Sequence, residues 1–108
     1  MSESQNLHRQ AMSIINEAMH NPNEEIRNDE VLLKEAHKKA YRLEFKAAEA
    51  IPLDPKNEPT RSVLYRSAGW MAFHADLYDE AMLCANEGLK GCTDNQTKQE
   101  LNDLLQSI

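Results

Sequence analysis

Residues 62–90 read SVLYRSAGWMAFHADLYDEAMLCANEGLK. The stretch contains no proline, and its apolar residues recur at helical rather than alternating spacing. Val63, Leu64, Ala68, Met71, Ala72 and Ala75 supply one stripe, and Tyr65, Trp70 and Phe73 widen it. A tight break is expected at Ala75-Asp76-Leu77. Beyond it Tyr78, Ala81, Met82, Ala85 and Leu89 give a second stripe. The spacing predicts two antiparallel helices, 60–75 and 78–90, with Thr60 or Ser62 capping the first and Gly91 ending the second.

The same periodicity extends both ways. Leu7, Ala11, Ile14, Ile15, Ala18 and Met19 predict a helix over 4–20, with Ser4 as N-cap and a stop at Asn21-Pro22-Asn23. Leu32, Ala36, Ala40, Leu43, Ala47 and Ile51, with Leu33 and Ala50, predict a longer helix over 28–51, capped by Asn28. Glu30/Lys34 and Glu35/Lys39 stand in the favourable i,i+4 order. Residues 52–59, PLDPKNEP, make a stiff loop. Thr93 and Gln96 suggest a capping box opening a last helix over 94–107, whose apolar face is Leu101, Leu104, Leu105 and Ile108. The expected fold is all-α: about five antiparallel helices in one domain over 1–108, with no strands and a partly polar helix closing the C-terminal end.

Residues 62–90 resemble one tetratricopeptide repeat, a helix-turn-helix unit of about 34 residues with bulky and small residues at set positions. Tyr65 stands where the repeat often has Trp, Ala68 where it often has Leu, and Gly69 at the first small position. Leu77-Tyr78-Asp79-Glu80-Ala81 resembles the turn into the second helix, and Ala81 is the strongest small-residue match. Ala85, Gly88 and Thr93 depart from the pattern, standing at or near a usual aromatic, Ala and Pro. The resemblance implies close approach of two helices at Gly69 and Ala81, with Tyr65 and Tyr78 filling the gap. Leu33, Ala36, Ala40 and Leu43 look like the second helix of a preceding degenerate repeat over 4–51, and 94–107 looks like a capping helix. The stretch from Glu58 to Ala68 is also similar to a signature of small bacterial tetratricopeptide-like proteins of uncharacterised function.

In such arrays the first helix of each repeat lines a concave surface. The resemblance therefore places Arg66, Ser67, Trp70, Phe73 and His74 on a candidate partner-binding face, with Arg61 adding positive charge near the start of the same helix. Trp and Arg are enriched at binding hot spots. The implied partner is another protein presenting an acidic and apolar segment. One clear repeat and one degenerate repeat fall short of the roughly three that bury a continuous core, so a homo-oligomer or a larger partner is expected to supply the missing burial.

Twelve basic and 18 acidic residues give a formal charge of −6, which argues against a general binder of nucleic acid or anionic membrane. The distribution is uneven. Residues 1–30 carry two basic and six acidic groups, net −4; residues 31–66 carry eight and five, net +3; residues 67–108 carry two and seven, net −5. A basic middle between acidic ends is either internal balancing or a local face for an acidic partner. The opening MSESQNLHRQ is polar, and no apolar run approaches the ~18 residues of a membrane span. A cytoplasmic protein with reduced Cys84 and Cys92 is expected, Cys84 being a buried thiol.

Signatures of chemistry are sparse. His8, His20, His37 and His74 form no H-E-x-x-H and pair with no cysteine at zinc spacing. There is no phosphate-cradling glycine loop and no G-x-S-x-G. Arg66 and His74, the pair a helical ribonuclease would need, are separated by about 12 Å of helical rise. Asp79-Glu80 sits at a helix start, where dipole complementarity explains it. The expectation is no catalysis, metal or cofactor, and a protein–protein interaction module, an adaptor or scaffold, holding a partner peptide or helix on its third helix. The alternative is a regulatory or inhibitory subunit of antitoxin or immunity type.

Overall fold

The computed structural model describes residues 2–108, and the chain is all-α. Helix α1 spans Glu3–Met19. Its cap is Ser2, not Ser4: Ser2 Oγ accepts from the Gln5 N–H, and the Gln5 side chain accepts from the Ser2 N–H, satisfying two otherwise orphaned donors. Ser4 Oγ instead donates to the Ala47 carbonyl at 2.9 Å, tying α1 to the next long helix. A short helix the periodicity does not announce, α2 (Glu24–Arg27), follows, capped by Asn23.

Helix α3, Glu30–Glu49, is capped by Asp29 rather than Asn28. Ala40 and Ala47 of the expected stripe are buried, whereas Leu32 and Ala50 are exposed. The inward face turns instead through Glu44 and Ala48, with Tyr41 and Phe45 beside them. Neither expected i,i+4 ion pair forms. Lys34 reaches Asp76, beyond the third long helix, at 2.8 Å.

A single 3-10 turn, Pro55–Asn57, stiffens the loop before α4, Thr60–His74. Neither Thr60 nor Ser62 caps α4. Glu58 does so from outside, its Oε1 accepting from the Ser62 N–H at 3.0 Å. Asp76 turns the chain with φ 62°, in the left-handed region that Asp tolerates better than most residues. Helix α5 covers Tyr78–Gly91. Gly91 is its last residue and not a left-handed cap, since no glycine has positive φ. Its smallness has another reason: a Cβ there would lie 2.6 Å from Leu53 Cδ1 and 2.7 Å from Glu58 Oε2. Helix α6, Asn95–Ser107, is capped by Asp94, whose Oδ2 accepts from the N–H and hydroxyl of Thr97. The expected box of Thr93 and Gln96 does not form.

The helices stack in chain order, α1 on α3, α3 on α4 and α4 on α5, with α6 lying against both α4 and α5. Three apolar clusters result, and Tyr41 packs against all of them. The α4–α5 contact is tight because its residues are small. A Cβ on Gly69 would fall 3.3 Å from Cys84 Cβ and 3.6 Å from the Ala81 carbonyl oxygen, and only 2.5 Å from Leu104 Cδ2 of α6. Gly88 gives Leu101 and Tyr65 the same room. Tyr65 fills the interface as expected; Tyr78 lies outside it, about half exposed.

Candidate functional site

Helix α4 buries Ser62, Ala68, Gly69 and Ala72 together with Leu64, Tyr65 and Met71, while Arg66, Trp70 and Phe73 lie on a flank that this packing leaves half-buried. A free cationic end, however, does not exist there. Arg61 is buried, with Nη1 donating to the Glu87 carbonyl at 2.9 Å and Nη2 to Glu87 Oε2 at 3.2 Å. Its guanidinium also lies 4.7 Å from the centre of the Tyr65 ring. Arg61 is thus a strut between α4 and α5 rather than a surface charge. Lys90 shares the same carboxylate, and Lys90 first, with Arg61, holds the Glu87 carboxyl below its ordinary value. Arg66 is partly exposed, but its Nη1 donates to Glu100 Oε2 of α6 at 2.6 Å, which neutralises it locally.

Three of the other sequence-predicted residues, Trp70, Phe73 and His74, do come together. Trp70 meets Phe73 edge-on, with ring centres 5.6 Å apart and planes at 89°. It stacks on His74 at 6.1 Å. Phe73 extends the cluster to His74 and to Tyr78 of α5. Trp70 and Phe73 are half-buried, resting inward on the cluster of Ala72, Ala81, Ala85, Leu101 and Leu104, while His74 is exposed and Ser67 half-buried. The two rings are therefore both core margin and surface. His37 of α3 lies 5.2 Å from His74, centre to centre, with its Nδ1 donating to the Leu33 carbonyl. Although His74 as a whole is exposed, its ring is partly desolvated against Trp70 and Phe73; that desolvation first, and then the neighbouring His37, holds the His74 imidazole below its ordinary value and favours the neutral form. At the rim, Tyr78 donates to Asp76 Oδ1 at 2.9 Å while Lys34 pairs with Oδ2.

Arg66 and His74 do not converge: one faces Glu100 and the other Trp70 and His37. Among the described residues no group of three or more His, Cys, Asp or Glu is placed to hold a metal ion. No helix among the described residues is long and apolar enough to cross a membrane. Burial pushes the Cys84 thiol up to about 12, which removes thiolate chemistry near neutral pH.

Two features escape a reading of the sequence. An open groove of about 750 Å³ runs between the start of α1, the loop after α3 and the start of α4, with Ile51, Pro52, Val63 and Leu64 as its apolar floor. On its edge His8 reaches Glu44, a fully buried carboxylate in the middle of α3. The available signal was only that Glu44 falls at helical spacing between Ala40 and Ala47 and Ala48.

No known family model, no curated protein and no solved structure matches this chain.

Proposed function

We propose that the chain is a protein-interaction module that holds a segment of another protein on the flank of α4 built from Ser67, Trp70, Phe73 and His74. The observation that carries this reading is the aromatic cluster itself: Trp70, braced edge-on by Phe73 and stacked on His74, remains half-buried at the surface of the folded chain. A braced aromatic loses little freedom on binding, which is why such residues serve as hot spots. With Arg61 and Arg66 engaged internally, this face favours an apolar anchor over an acidic one.

The tetratricopeptide-like reading of α4 and α5 is part of the proposal. Close approach at Gly69 and Ala81 and the burial of Tyr65 support it; the outward position of Tyr78 does not. In that reading α1 and α4 are the first helices of two successive hairpins, α6 closes the array, and the module is an adaptor working without chemistry of its own. The test is affinity capture from the native host followed by binding measurements on Trp70→Ala and Phe73→Ala. Loss of affinity in folded variants supports the proposal; unchanged affinity in both rejects it.

A further inference from the structure

Among the described residues eight cations make no internal ion pair: Arg9, Arg27, Lys56 and Lys98 are spread along the chain, and the other four share one helix. Lys34, Arg61, Arg66 and Lys90 are each bound to a carboxylate. Lys38, Arg42 and Lys46 recur every four residues along α3, with Lys39 beside them, and none is in an ion pair. Ala40, Glu44, Ala47 and Ala48 face the core, so helical spacing puts this row on the side of α3 turned away from it. Three of the four are exposed and Lys38 is half-buried. The row rises about 12 Å from Lys38 to Lys46. Glu35 and Glu49 stand on the same side just beyond each end, about 21 Å apart along the axis.

We infer that this row is a docking surface for a short acidic helix of a partner protein, with carboxylates spaced i,i+4 and a neutral or basic residue at each end. Charge complementarity selects that occupant. Carboxylates four residues apart on an antiparallel helix have the same rise as Lys38, Arg42 and Lys46, so each cation finds one anion. Glu35 and Glu49 then face the ends, where a cation is accepted and a further anion repelled. A duplex carries one charge per about 1.7 Å and would run past both glutamates. An anionic membrane is likewise continuous, and both meet the repulsion of a chain of net charge −6. A short segment feels mainly charges within about 8 Å at physiological salt, where the row dominates. This surface is separate from the α4 aromatic flank and stands or falls independently of it.

The experiment uses the full chain and a fluorescently labelled alanine-based helix with Glu at successive i,i+4 positions and Lys at both ends. Anisotropy should report binding that weakens at least tenfold in Arg42→Glu/Lys46→Glu, with an unchanged melting curve, and that weakens as salt rises. A second peptide with Glu in place of the terminal Lys residues should bind severalfold less well, and Glu35→Gln/Glu49→Gln should abolish that difference. No binding, equal binding by the reversed-charge variant, or tighter binding of a DNA duplex or phosphatidylserine vesicle than of the Lys-ended peptide overturns the inference.

Discussion

His8 Nδ1 lies 2.8 and 2.9 Å from the two carboxylate oxygens of Glu44, and Glu44 is fully buried while the His8 side chain is 45% exposed. The pair joins the first turns of α1 to the middle of α3. Removing the partner of a buried polar group leaves it unsatisfied and costs about 1–3 kcal/mol, whereas apolar replacement of the buried group is often near neutral. The two partners should therefore behave unequally. His8→Ala, which leaves the fully buried Glu44 carboxyl without its partner, should cost about 1–3 kcal/mol. Glu44→Met, which leaves a solvated histidine, should cost less than about 1 kcal/mol. Urea unfolding of the two variants and of their double checks this; the double should resemble Glu44→Met.

The Gly69 contact tests the packing of α4, α5 and α6. A methyl at this position would gain roughly 1 kcal/mol of helix propensity. It would also sit 2.5 Å from Leu104 Cδ2, in a fully buried side chain with little room to move. Overpacking costs about 1–3 kcal/mol, so Gly69→Ala should be neutral to destabilising despite its better helix former. Ala81→Leu, with no propensity gain and no exposed surface to escape to, should lose the full 1–3 kcal/mol. Thermal melts of both variants give the order.

A pH titration separates His74 from the carboxylates. The folded chain disfavours the His74 imidazolium relative to the unfolded chain, whose ordinary value is 6.5. Its contribution to stability is present above that value and declines as pH falls through and below it, because the unfolded state takes up the proton first. Asp76, Glu87 and Asp94 are also held low, from ordinary values of 3.8 and 4.5, so their losses come at more acid pH. Unfolding free energy should fall in two stages on acidification, and His74→Gln should remove the first stage alone.

The thiol of Cys84 should react slowly in the native state. It is fully buried in the α4–α5 interface, with its pKa pushed up to about 12 by burial. Its modification by a thiol reagent, followed in Cys92→Ser, should proceed only as fast as the chain opens and should accelerate with denaturant. A rapid, denaturant-independent reaction would mean that the interface breathes without unfolding.

The helical skeleton was legible because apolar spacing and prolines are local signals. The α4–α5 contact was legible too, since Gly69 and Ala81 are small where neighbours are bulky. Caps fell one or two residues from their expected places because Ser, Asp and Asn compete at Ser2/Ser4, Asn28/Asp29 and Thr93/Asp94. Helix α2 spans four residues, too few to show a period. The candidate site was half legible. The aromatic cluster follows from Trp70, Phe73 and His74 being one turn apart or adjacent on one helix. The fate of the arginines does not: Arg61 finds Glu87 26 residues away, and Arg66 finds Glu100 34 away, and no local pattern announces such pairs. Glu44 was not singled out for the same reason: nothing local marks a helical glutamate as buried, and its partner His8 lies 36 residues earlier.

The claim that the α4 aromatic flank receives a partner rests most directly on the affinity of a captured partner for Trp70→Ala relative to wild type. The measurement belongs at a temperature where both are folded, because Trp70 also leans on the core cluster around Leu101 and Leu104. The account predicts a loss of more than about 1 kcal/mol in binding, roughly fivefold or greater, with the helical circular-dichroism signal retained. A folded Trp70→Ala that binds as wild type does, with only its melting temperature lowered, would contradict it and leave Trp70 as a packing residue.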